Sequence, residues 1–188
     1  VCKLSNMATT LHIDSSPRGE RSKSRQLTRE FITNWQALHP EDTIIYRDLR
    51  KTPIPHVTEE WVAADYTPKD TKTPEMIDVL RLSDELVDEF LAADSCIFSV
   101  PMYNFSTPSS FKAYIDHIVR VGRTFAVING KFKGLVEGKK ILFITARGGE
   151  YGAGATFEGW DAQEPALRFT FQFIGVTVIE NIHAKALV

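Results

Sequence analysis

Apolar residues in this chain fall into short runs separated by amphipathic stretches, and the alternation predicts a parallel sheet with helical crossovers on both faces. The runs predict strands at roughly Ala8 to Ile13, Thr43 to Asp48, Ser95 to Val100, Ile141 to Ala146 and Val176 to Ile182. The third and fourth are almost continuously apolar, as strands covered on both faces are. Between the first two, Leu27, Phe31, Trp35 and Leu38 form the apolar stripe of a helix that Pro40 closes. Thr73-Pro74-Glu75 predicts a cap, a proline at the first helical position and an acidic first turn; Met76, Ile77, Val79, Leu80, Leu86, Val87, Phe90 and Leu91 then supply a buried face. A third helix starts at Thr107-Pro108, shows Phe111, Ile115, Ile118 and Val119 on one side, and stops at Gly122. A fourth spans about Asp161 to Ile174, before Gly175. Arg50 to Lys72 and Arg123 to Lys139 read as long loops, either functional lids and interface pieces or plain surface meanders.

Composition narrows the class. With 188 residues, 43% hydrophobic and 24% charged, the chain has the material for one domain, expected over residues 7–188; residues 1–6 read as an extraneous or disordered N-terminal extension. Twenty-two basic against 24 acidic side chains leave a net charge of -2, which argues against nucleic acid or an anionic membrane surface as partner. Cys2 and Cys96 are too few and too far apart for a disulfide framework or a zinc site. No stretch is apolar enough to span a membrane and Val1 to Asn6 has no signal-peptide core, so the expected location is the cytoplasm.

In a doubly wound sheet ligands bind beyond the carboxyl ends of the strands, so chemistry is sought in the turns after strands one, three and four. After strand one, Asp14 to Arg25 is rich in hydroxyls and positive charge and runs into a helix start. Ser16, Ser22, Lys23 and Ser24 could cradle a phosphate dianion there, or the serines could be ordinary caps on a solvated basic turn. The segment matches neither the phosphate loop of nucleoside triphosphatases nor the glycine pattern of dinucleotide-binding domains. After strand three, Met102, Tyr103, Asn104 and Phe105 combine a thioether, two aromatic rings and an amide, which suit a flat heteroaromatic ring. After strand four, Ala146-Arg147-Gly148-Gly149 lets backbone N–H groups approach a ligand, or is merely a flexible turn.

One turn shaped for phosphate and two for a polar-rimmed ring describe a mononucleotide with a tricyclic head, FMN. On Ser15-Ser16, Ser22-Lys23-Ser24, Pro101-Met102-Tyr103-Asn104-Phe105 and Arg147-Gly148-Gly149, in that order, the chain resembles the FMN-dependent azoreductases or NADH:quinone oxidoreductases of the flavodoxin-like superfamily, from about Thr9 to Ile182. The resemblance implies an α/β doubly wound sandwich, a five-stranded parallel sheet of order 2-1-3-4-5 with helices on both faces. It implies bound FMN, its phosphate on Ser16, Ser22, Lys23 and Ser24, its ring and ribityl chain on Met102 to Phe105, and its pyrimidine edge on the backbone of Ala146 to Gly149. It further implies NADH or NADPH as co-substrate, quinones and azo compounds as acceptors in ping-pong turnover, no catalytic side chain, and a homodimer with active sites at the interface. Two features depart from the family: Ala146 stands where serine is usual, and only six residues follow Ile182 where relatives continue into a final helix.

A flavodoxin-type electron carrier is the alternative, but carriers typically have a Thr/Gly-rich phosphate loop and strong acidity. A phospho-receiver domain would need an aspartate where Pro101 stands. Cys96 reads as a small core residue. His12, His39, His56, His117 and His183 have no metal spacing and are expected on loops or helix surfaces, and Asp84, Glu85, Asp88 and Glu89 read as the solvated face of a helix.

Overall fold

In the computed structural model, which describes residues 7–184, β1 (Thr9–Asp14) leads through a 3-10 turn (Gly19–Arg21) into α1 (Lys23–Leu38) and then β2 (Thr43–Asp48). α2 (Glu59–Tyr66), α3 (Pro74–Ala92), β3 (Ser95–Pro101) and α4 (Ser109–Ile118) follow. A hairpin of β4 (Phe125–Ile128) and β5 (Lys131–Gly134) precedes β6 (Lys140–Ala146), α5 (Gln163–Phe173) and β7 (Val178–Ala184). The proposed N-terminal extension and Cys2 lie outside the described residues. The main sheet runs β2-β1-β3-β6-β7 with every neighbouring pair parallel, which is the expected 2-1-3-4-5 order once the hairpin strands are set aside.

Side chains alternate across the central strands and build a core on each face. Phe98 of β3 and Phe143 of β6 point to α3, α4 and α5, where Phe90, Phe111, Tyr114 and Phe171 are fully buried; Phe98 lies 5.3 Å from Phe111 and 5.5 Å from Phe171, ring to ring. On the other face Ile97 and Ile144 meet Ile32 of α1, flanked by Leu27 and Phe31. Among the described residues α1 is the helix covering this second face, and Val178 and Ile182 of β7 remain 42% and 43% exposed.

Both long connections contain structure. In Arg50 to Lys72, Thr58 caps α2 by accepting from the Trp61 N–H, and Trp61 and Ala64 are buried against Leu80. In Arg123 to Lys139, Asn129 and Gly130 turn β4 into β5 with φ of 52° and 72°, the two left-handed residues that a type I′ hairpin turn requires. The last strand begins at Val178 rather than Val176, because Val176 still closes α5, its N–H donating to the Phe171 carbonyl. The inward face of α1 is shifted from the predicted stripe: Ser24, Arg25, Thr28 and Ile32 are buried, whereas Leu38 is 77% exposed. On α3, Ile77, Val79 and Leu91 are likewise exposed while Leu80, Leu86, Val87 and Phe90 are buried.

Charged groups depart further from the sequence reading. Asp84, Glu85 and Glu89 are not simply solvated: Arg47 on β2 donates to Glu85 and Glu89 at 2.7 Å each, and Arg123 reaches Asp84 at 3.1 Å, so α3 is tied to β2 and to the segment before β4. Buried Arg120 links Asp65 on α2 to Ser83 on α3 and packs over the Trp61 ring. His12 and His117 are buried rather than on the surface. His12 sits on β1 with Nε2 3.4 Å from an Asp14 oxygen, and His117 Nε2 lies 3.0 Å from the Pro55 carbonyl. Cys96 is a core residue, as expected.

Candidate functional site

The turn after β1 is stitched to its neighbours before it meets any ligand. The Ser15 N–H and hydroxyl both donate to the Ser99 carbonyl, at 3.1 and 2.8 Å, and the Ser110 hydroxyl donates to the Ser15 carbonyl at 3.0 Å. Gly19 turns the chain with φ +56°, and a Cβ there would lie 3.1 Å from the Arg50 guanidinium. Ser22 caps α1 by accepting from the Arg25 N–H, and its hydroxyl is 3.1 Å from that of Ser24. The N–H groups at Lys23 and Ser24, in the first turn of α1, precede any intrahelical carbonyl they could reach, so the helix start offers donors and a partial positive charge.

The turn after β3 is strained. Tyr103 and Ser106 exchange N–H···O bonds of 2.9 and 3.0 Å, leaving Asn104 and Phe105 as its two central residues, with φ of 49° and 66°. Asparagine tolerates this left-handed conformation; for phenylalanine it costs about 1–2 kcal/mol. Its ring and its carbonyl both hold Phe105 there. Its ring lies 5.3 Å from Trp160 and 6.4 Å from Tyr151, and its carbonyl accepts from the Ala162 N–H at 3.1 Å. The buried Gln163 side chain also donates to the Pro101 carbonyl at 3.0 Å, fixing the strand end from which the turn springs.

After β6, the Arg147 N–H bonds the Ala184 carbonyl at 3.0 Å, and one guanidinium nitrogen meets Asp161 at 2.7 Å. Arg147 Nε and Nη2 are buried without a hydrogen-bond partner among the described residues. Burial, reinforced by the Arg147 charge, lowers the pKa of nearby His183. Neither the Gly148 nor the Gly149 N–H bonds a backbone carbonyl among the described residues.

These turns meet at one cavity of ≈ 200 Å³ at the carboxyl edge of the sheet. Ser16, Ser22, Lys23, Met102, Tyr103, Ala146, Arg147 and Gly148 line it together, as the sequence pattern expects. Ser24, Asn104, Phe105 and Gly149 do not. Ser24 is wholly buried behind Ser22, and the Asn104-Phe105 turn projects toward the aromatic cluster. Arg18 and Arg21 also line the cavity; the basic character of their segment was legible, their individual placement was not. A larger cavity of ≈ 570 Å³ lies between α2, α3 and Arg120 to Arg123, where Arg120 and Arg123 are already paired with Asp65 and Asp84.

The cavity's residues fit a flavin mononucleotide: a cationic, hydroxyl-lined helix start at one end, a thioether and an aromatic ring beside it, and the Ala146-Arg147-Gly148 turn completing the lining, with a Gly148 N–H that bonds no backbone carbonyl among the described residues. Comparison with known proteins agrees with this class. Residues 8–188 match the family described as flavodoxin-like fold. The FMN-dependent NADH:quinone oxidoreductase of Nostoc punctiforme is 58% identical over 181 residues, covering 96% of this chain and 88% of that protein. A like-named protein of Pseudomonas fluorescens is 44% identical over 181 residues, covering 96% and 89%. An azoreductase crystal structure from Bacillus anthracis superposes with a TM-score of 0.88 at 26% identity, covering 96% of this chain and 88% of that one. The chain belongs to the flavodoxin-like family and, within it, to the family of the FMN-dependent NADH:quinone oxidoreductases.

Proposed function

We propose that this chain is a flavoenzyme that moves two electrons from NADH or NADPH to quinones and aromatic azo compounds in ping-pong turnover, with residues 7–188 acting as one domain. The observation that carries this reading is the single cavity shared by an anion-binding helix start and an aromatic strand end. FMN, when bound, supplies the hydride chemistry. The protein's part is to bind and orient. Ser16, Ser22 and Lys23 take the phosphate, with Ser24 supporting Ser22. Met102 and Tyr103 pack on the ring, with Asn104 and Phe105 at its rim. Ala146, Arg147, Gly148 and Gly149 face the pyrimidine edge, where the two glycine N–H groups favour negative charge much as an oxyanion hole does. No side chain is assigned as acid or base.

The reading extends to a cytoplasmic homodimer with two active sites at the subunit interface. The β4–β5 hairpin supports this, since Val127, Ile128 and Phe132 expose 55%, 48% and 69% of their surface. No described helix is long and apolar enough to cross a membrane.

The test is to purify the protein, release and identify its chromophore, and follow NADH oxidation with 2-methyl-1,4-naphthoquinone in the absence of any partner protein. FMN and steady turnover are expected. A protein that stays colourless in excess FMN ends the reading, and FMN without turnover makes it an electron carrier. Phe105 offers a finer check: Phe105→Gly relieves the left-handed strain while removing a half-exposed ring. The thermal midpoint is expected to hold within a few degrees while KM for the quinone rises several-fold; an unchanged KM would take Phe105 out of acceptor binding.

A further inference from the structure

We propose that Arg25, which does not line the cavity, is a positioning residue that holds the Ser16 carbonyl away from the phosphate seat and so sets selectivity for FMN over riboflavin. The inference rests on the FMN reading above. Arg25 lies in the first turn of α1 with its guanidinium turned inward beneath the turn after β1, and the residue is only 4% exposed. Its Nε and Nη2 both donate to the Ser16 carbonyl, at 3.1 and 2.7 Å. Its remaining reach ties the ends of two strands together, with Nη1 donating to Asp14 at 3.1 Å and Nη2 to Asp48 at 2.5 Å.

Chemistry gives that fork a purpose. The peptide after Ser16 is to Pro17 and has no N–H, so it brings to the turn an acceptor oxygen and no donor. Swung toward the cavity, this oxygen would face the anion among the groups that attract it. Held inward, it leaves Ser16, Arg18, Arg21, Ser22 and Lys23 as the lining. Asp14 and Asp48 hold the fork in place. Burial alone would raise their pKa values, but His12, Arg25 and Tyr46 beside Asp14, and Arg25 and the Arg50 N–H beside Asp48, outweigh it and keep both carboxyls below the usual range. A buried charge network is weak evidence for stability, so this one is better explained by the geometry it enforces.

Lysine keeps the charge at this position but cannot fork onto one carbonyl. Apo-protein titrated with FMN and with riboflavin, followed by flavin fluorescence, tests the role. Arg25→Lys is expected to weaken FMN at least tenfold while the riboflavin Kd stays within twofold of the parent. Asp48→Asn keeps an amide oxygen that can still accept from Nη2 and seat the fork while removing the charge, and is expected to keep the parent's ratio of the two affinities. Equal losses for both flavins in Arg25→Lys, or no loss for either, would make Arg25 purely structural. A lost ratio in Asp48→Asn would assign the selectivity to the carboxylate frame instead. If Arg25→Lys does not fold, Arg25→Gln combined with Asp14→Asn removes one charge of each sign and carries the same expectation. A parent protein that binds no FMN overturns the functional reading itself, before any variant is compared.

Discussion

Ser22→Asp is expected to raise the Kd for FMN at least 100-fold while leaving the apo-protein as stable as the parent. Ser22, a residue only 2% exposed, is both the cap of α1 and part of the cavity wall, its side chain accepting the Arg25 N–H. Aspartate caps helices as well as serine does, and its charge suits the helix N-terminus, so folding loses nothing. An incoming phosphate, however, meets a fixed carboxylate. Two unit charges about 4 Å apart repel by about 4 kcal/mol even at an effective dielectric of about 20. A 100-fold loss needs only about 2.7 kcal/mol. Riboflavin has no phosphate and is expected to lose far less. Flavin titration beside a thermal melt reads all three quantities, and undiminished FMN binding would remove the phosphate from this end of the cavity.

Gly134→Ala is expected to destabilise the fold by about 3 kcal/mol or more, a fall of about 6–12 °C in the thermal midpoint for a chain of this size. Gly134 ends β5 against the turn that follows α5. A Cβ there would lie 2.3 Å from both the Gly175 nitrogen and the Ile174 carbonyl carbon. Both are backbone atoms, so no side-chain rotation can relieve the clash. Opening this contact also breaks the 2.9 Å bond from the Val136 N–H to the Ile174 carbonyl and lifts the hairpin off Phe173. Calorimetry of the variant decides the matter; an unchanged midpoint would show that the two backbones part without cost.

What the sequence reveals here follows from how local each cause is. β2 has the bounds its apolar pattern predicts, and α3 starts where Thr73-Pro74-Glu75 places it, because strand alternation and helix caps are written in adjacent residues. The three turns that meet at the cavity are legible for the same reason: each is a contiguous run following a strand. α2 is hidden because few of its eight residues are apolar and inward-facing, chiefly Trp61 and Ala64. The hairpin did carry a signal, Asn129-Gly130, but its four-residue strands are mostly exposed and show no clear apolar alternation. Arg25 looked like one more cation of a basic turn. Its inward direction is set by Asp48, 23 residues away, and by Asp14, and no local pattern announces such a partnership. The left-handed backbone at Phe105 is equally silent, since it is enforced by Trp160 and Ala162 far along the chain.

The placement of Cys96 bears on what the proposed substrates can do to the protein itself. Quinones are electrophiles that arylate thiolate sulfur. Cys96 is the free cysteine among the described residues; it is 1% exposed on β3, and burial pushes its pKa up to about 12. At neutral pH almost none of it is ionised, and little of it can be reached. A catalyst built this way can work amid reactive acceptors without its described residues offering them a thiolate to attack.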